Sequence, residues 1–240
     1  MKKEITIPEY LTIKQYMELQ KLPDTDSEIE KSLYIVSTIT GIDVEELRYW
    51  DLESIKVINE NIASLVDVGN EFHSMFEWNG ILYGYSNIKQ QSLGEYIDLE
   101  NLCKDVNNNL HKIVSILYRP IVEHDFGSIS TQIKHHLKVV RNKGVENVFE
   151  HYTIEKYDNH KRKRVENDFL ELPVTIALGA ISFFLLIGLQ YLNNTVYSEN
   201  KSKMMNEKLI NELIQSIGVG GGLYTHYLKP KYLQLQGIAN

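Results

Sequence analysis

Residues 172–192 read LPVTIALGAISFFLLIGLQYL, and the reading of this stretch decides the fold. It is long enough for a bilayer, which needs about 20 apolar residues. No charge interrupts it, and Gly179, Ala180, Ser182 and Gly188 are small residues of the kind found where membrane helices pack. The basic run Lys161–Arg164 precedes it and would set that side in the cytoplasm. Against this, Pro173 suits the first turn of a helix, and Thr175, Ser182 and Gln190 dilute the apolar run. The segment is single and the rest of the chain is polar. We therefore read 172–192 as a helix buried on all sides or facing a partner. A single-pass span over 172–192, with a cytoplasmic N-terminal domain, is the alternative.

Working outward, most flanking segments carry helical signals. Thr12–Leu22 reads as a helix stopped by Pro23. Ser27–Thr40 places Ile29, Leu33 and Val36 on one stripe and ends at Gly41. Asp43-Val44-Glu45-Glu46 opens another helix with early acids. Asp51–Val66 follows, with Leu52, Ile55, Ile58, Ile62 and Leu65 as its apolar face. The period then changes. Phe72–Trp78 and Ile81–Tyr85 flank Asn79-Gly80, a pair suited to the positive φ angles of a type I′ turn, which predicts a β-hairpin near 72–86. Ser92-Leu93-Gly94-Glu95 has capping-box spacing and opens a helix carrying Tyr96, Leu99, Leu102 and Cys103. Asn107–Asn109 is expected to break it, with a new helix over Leu110–Tyr118 before Pro120.

Beyond Pro120 the pattern weakens. Ile121–Gly144 is polar, with a helix expected over Ser130–Val140, and His151–Asn167 reads as charged and solvent-facing. After the long apolar helix, Lys203–Ile217 aligns Met205, Leu209, Leu213 and Ile217, and Gly218–Gly222 ends it. The expected organisation is mainly α with a small β-hairpin (α+β). A helical domain occupies 1–217 and a glycine-hinged extended C-terminal arm occupies 218–240.

Composition narrows the function. The chain is 43% hydrophobic and 24% charged, which excludes wholesale disorder. A net charge of −7 argues against a generic nucleic-acid binder, which is usually basic. One cysteine, Cys103, permits no internal disulfide, and its place on an apolar helix face suits a small buried side chain. The start, MKKEITIP, lacks the apolar core of a secretory signal.

No motif supplies a catalytic constellation. His111, His124, His135, His136 and His151 are the candidate ligands for a metal-dependent enzyme. No His-Glu-x-x-His pair exists, and adjacent His135 and His136 diverge on a helix, so surface histidines are the reading we adopt. His160-Lys161-Arg162-Lys163-Arg164 could hold phosphate or an acidic partner, but Glu155, Asp158, Glu166 and Asp168 surround it. Gly218–Gly222 lacks the strand and the Gly-Lys-Ser/Thr ending of a phosphate loop. Neither cofactor nor metal is expected. Tyr34, Tyr49, Trp50, Phe76, Trp78, Tyr83 and Tyr85 concentrate in the first third, as core or as an interface rich in aromatics.

The order of these features resembles a known family. EKSLYIVSTITGIDVEELRYWD (30–51), the hairpin WNGILY (78–83), SLGEYIDLE (92–100), LHKIVSILYRP (110–120) and the later Leu172-Pro173 with Ala180–Leu185 are similar, in that order, to tail assembly chaperone-like proteins of tailed bacteriophages. The resemblance covers about residues 5 to 192 by pattern. It implies a non-enzymatic virion assembly protein in the host cytoplasm, possible also as a component of the virion. Its partners would be tape-measure, tail-tube or connector proteins, with a homo-oligomer allowed. Apolar segments of those partners would be held helix-in-groove, at Phe183 and Phe184 on the long helix, Leu209 and Leu213 on the amphipathic helix, and Tyr224 and Tyr227 in the arm. The charged 151–164 stretch and the glycine-hinged arm depart from the family pattern. They suit the alternative of a connector or ring subunit. No catalytic residue follows from the resemblance.

Overall fold

A computed structural model describes residues 7–23, 25–67, 72–87, 90–125 and 151–194. Among the described residues, helices and strands run in the order α1 (Ile13–Leu19), α2 (Glu28–Thr40), α3 (Val44–Leu47), α4 (Leu52–Asp67), β1 (Met75–Trp78), β2 (Ile81–Tyr85), α5 (Leu93–Leu102), α6 (Val106–Leu117), β3 (Tyr118–His124), β4 (Tyr152–Ile154), α7 (Asn159–Val165) and α8 (Val174–Asn194). The fold is mixed α+β and mainly helical, with a small antiparallel sheet.

Local sequence explains most boundaries. Thr12 caps α1 in a reciprocal box with Gln15, and Ser92 caps α5 with Glu95. Gly41 ends α2 in the left-handed conformation that glycine adopts without steric cost. Asn79 and Gly80 both have positive φ, as a type I′ turn requires, and pair β1 with β2. The break expected at Asn107–Asn109 falls earlier, in a 3-10 turn over Cys103–Asp105. Asp105 then caps α6 through the Asn108 N–H, so the asparagines form its first turn.

The sheet is larger than the expected hairpin. Its order is β1-β2-β3-β4, all antiparallel. Pro120 masked β3, because proline is rarely found inside a sheet. Its carbonyl accepts from the Glu155 N–H, one residue past the end of β4. The missing donor of Pro120 therefore faces a place where the short neighbouring strand has already ended. The charged stretch 151–167 is not wholly solvent-facing. It supplies β4 and α7, and buries Tyr152 and Arg162.

The long apolar segment is resolved as a core helix. Leu11 and Ile13 are hydrogen-bonded across Leu172–Val174, with Ile13 N–H to Leu172 O at 2.9 Å and Val174 N–H to Leu11 O at 2.8 Å. This clamp fixes the entry of α8 against α1. Val174, Ala177, Leu178, Ala180, Ile181, Phe183 and Phe184 are all buried, and α8 packs on α1 and α6. Among residues with described side chains, which end in this helix at Phe184, no helix is long and apolar enough to cross a membrane.

Aromatic rings join the sheet to the helices. Phe72 stacks on Phe183 with ring centres 3.6 Å apart, and Tyr85 meets Phe183 edge-on at 5.3 Å. Phe169 packs edge-on against Tyr83, and Tyr85 donates its hydroxyl proton to the Ala180 carbonyl. The expected helix over 130–140, the amphipathic segment 203–217 and the arm 218–240 lie outside the described residues.

Candidate functional site

The strongest polar constellation sits where α5, β2 and β3 meet. The cap at Ser92 orients Glu95 inward from the first turn of α5. One Glu95 oxygen accepts from the Ser92 N–H at 2.7 Å and the Ser92 hydroxyl at 2.9 Å. The other takes the Arg119 guanidinium at 2.7 Å and the Ser86 hydroxyl at 3.4 Å. Arg119 also donates to Ser86 Oγ at 3.0 Å, and Tyr157 lies beneath its guanidinium. Burial lowers the Arg119 pKa, and the Glu95 carboxylate opposes that shift.

Tyr157 extends the cluster by donating its hydroxyl proton to Asp98. Burial, and then this carboxylate, push the phenol pKa up. Both Glu95 oxygens are thus engaged by fixed donors, and the Ser86 hydroxyl is directed at Glu95 itself. The arrangement holds a helix to a sheet edge, and its charge is spent internally.

Other candidates disperse. Cys103 is a buried thiol in no disulfide, being the single cysteine of the chain. His151 Nδ1 pairs with Asp125 at 3.0 Å, while His124 ends β3 on the exposed side. His111 is buried in α6, where burial and then Lys112, Arg162 and Lys21 lower its pKa to about 4. Among the described residues no group of three or more His, Cys, Asp or Glu side chains is placed to hold a metal ion. His135 and His136 lie outside the described residues. A cleft lined by Tyr16, Gln20, Val106, Leu110, Leu178 and Ile181 has a volume of about 10 Å³, room for a water molecule at most.

Of the expected partner-binding residues, Phe183 and Phe184 are 5% and 6% exposed and belong to the internal core. That placement corrects their expected role as an accessible surface, because the Phe183 ring packs against Phe72 and Tyr85 and Phe184 is buried in the same core. Leu209, Leu213, Tyr224 and Tyr227 lie outside the described residues. The early aromatics divide: Phe76, Tyr83 and Tyr85 are core, whereas Tyr49 is 90% exposed. Among the accessible apolar residues that the sequence reading missed are two on α5. Leu93 and Ile97 stand one turn apart and are 68% and 45% exposed. Their neighbours Gly94 and Asp98 face Tyr157, while Glu95 and Leu99 face inward.

No family model, curated protein or solved structure matches this chain.

Proposed function

We propose that this chain is a non-enzymatic bacteriophage assembly protein, tail assembly chaperone-like, that holds apolar segments of other structural proteins. The sequence resemblance supplies the class. The observation that supports binding is α5, a helix tied down by a buried ion pair and a capping box while Leu93 and Ile97 face solvent. A rigid helix presenting two adjacent apolar side chains loses little conformational entropy when a partner covers them. Burying a leucine or isoleucine stabilises by about 1.5–3 kcal/mol each. The surface is thus sized for a transient grip on an amphipathic segment.

The test uses amphipathic peptides from a phage tape-measure protein and an intact phage tail-tube subunit. Fluorescence anisotropy should show binding to the full chain. Leu93→Glu with Ile97→Glu should weaken it at least about tenfold, a loss of about 1.4 kcal/mol, and should leave the unfolding midpoint in place. Equal binding by the double variant would remove α5 as the site. No binding by any peptide or by the tube subunit would end the chaperone reading.

A further inference from the structure

Helix α7 and helix α4 carry opposite charge on their outward faces. In α7 the inward residue is Arg162, which bonds Asn159 Oδ1 at 2.9 Å and Glu166 at 2.5 Å. Helical geometry then turns His160 and Arg164 directly outward, with Lys161 and Lys163 flanking them. Of the surrounding acids, Asp168 is exposed beyond the end of the helix and the other three are committed elsewhere. Glu155 pairs with Lys161, Glu166 with Arg162, and Asp158 caps the helix through the His160 and Lys161 N–H groups. Lys163 and Arg164 are exposed and form no ion pair among the described residues.

In α4, Ile55, Ile58 and Ile62 face inward. The opposite stripe is Glu53, Val57 and Glu60, all exposed. It belongs to an acidic stretch. From Asp26 to Glu60 the chain carries Asp26, Glu28, Glu30, Asp43, Glu45, Glu46, Asp51, Glu53 and Glu60 against Lys31, Arg48 and Lys56. Arg48 is already held by Glu30 and Glu45. Tyr49 and Val57 add exposed apolar surface within the acids.

We propose that the outward face of α7 docks on the α4 face of a second copy of this chain, head to tail. The two faces lie on different elements: α7 packs on α6, whereas α4 packs on α2. A contact between unlike faces leaves each copy with one of each still open, so it propagates into a ring or a filament. The partner is a second copy because the complementary acidic face is present on the chain itself. A duplex would need a broader basic surface than one short helix on a chain of charge −7. That net charge repels copies at long range, but it is screened beyond about 10 Å at 0.1 M salt, while the two patches attract at contact. This assembly does not depend on α5 or on the chaperone reading.

Sedimentation velocity on the full chain tests it. The wild type should self-associate at about 0.1 M salt and dissociate as the salt is raised further. Lys163→Glu with Arg164→Glu removes the basic face, and Glu53→Lys with Glu60→Lys removes the acidic one. Each double variant alone should associate at least about tenfold more weakly, with an unchanged circular-dichroism spectrum. Mixed together, the two variants should associate again, because the intact basic face of one meets the intact acidic face of the other. A wild type that stays monomeric at about 0.1 M salt overturns the proposal. So does association unaltered in both variants, or a mixture of folded variants that fails to recover it. Binding of duplex DNA through Lys163 and Arg164 without self-association overturns it as well.

Discussion

Gly84 in the middle of β2 has no side chain because Tyr152 occupies the space. A Cβ there would lie 2.6 Å from Tyr152 Cε2 and 2.9 Å from Ile121 Cγ1. The Tyr152 ring is anchored at its far end, where its hydroxyl donates to the Ser74 carbonyl at 3.1 Å and the Tyr85 carbonyl at 3.0 Å. It cannot yield without loosening those bonds. Gly84→Ala should therefore destabilise by about 1–3 kcal/mol, the usual cost of overpacking, read as a lower urea midpoint. An unchanged midpoint would show that the ring moves freely. His111 makes a second residue-scale prediction. It is 7% exposed and its Nδ1 has no hydrogen-bond partner among the described residues. Its pKa is lowered from 6.5 to about 4 by burial first, then by Lys112, Arg162 and Lys21. Between these values the unfolded chain binds a proton that the folded chain refuses. The contribution of His111 is therefore complete above about pH 6.5 and is lost as the pH falls toward about 4. From pH 7 to pH 4.5 the wild type should lose about 2 kcal/mol that His111→Leu does not lose. Parallel losses in both proteins would assign the acid sensitivity to other groups.

At the scale of elements, the joint between α5 and the sheet rests on Glu95 and Arg119. Breaking one member of a buried pair leaves the other charge uncompensated, at a cost of about 3–5 kcal/mol. Glu95→Gln keeps a capping-box side chain at this position but removes the charge, so it isolates the ion pair from the cap. It should destabilise strongly. Adding Arg119→Met to it should recover part of the loss, giving a coupling energy above about 1 kcal/mol in a double-mutant cycle. Additive losses would mean that the pair is not coupled. Only half of this joint was legible in the sequence. The Ser92–Glu95 box is a local pattern and was read correctly. Arg119 and Tyr157 reach the cluster through β3 and the segment after β4, and strand pairing across such separations leaves no periodic trace. Pro120 argued against a strand, and β4 is only three residues long, below what alternation can reveal. The helices α2 and α4 were legible because each buries a stripe at helical spacing. Even there the outer members Ile29 and Leu52 turned out exposed, since a stripe wider than its neighbour is left partly uncovered.

The described residues form a sheet and a helical layer sharing one aromatic core, and Phe183 lies at their boundary. Its ring stacks on Phe72 and meets Tyr85, whose hydroxyl bonds the Ala180 carbonyl of the same helix. Because α8 also packs on α1 and α6, a loss at Phe183 is felt by both layers. Phe183→Ala should cost about 3–5 kcal/mol, as large-to-small changes in aromatic cores do. The two tryptophans test whether that cost is shared. Trp50 reports from the helical layer between α3 and α4, and Trp78 from β1. Urea unfolding would be followed by fluorescence in Trp50→Phe and Trp78→Phe backgrounds, each with and without Phe183→Ala. In a two-state molecule both probes should give the same midpoint, and Phe183→Ala should lower both by the same amount. If the Trp78 signal shifted while the Trp50 signal held its midpoint, the helical layer would be stable without the sheet. The helix at 174–184 would then be anchored by α1 and α6 alone, and the aromatic boundary would be a contact between separately folding units instead of a common core.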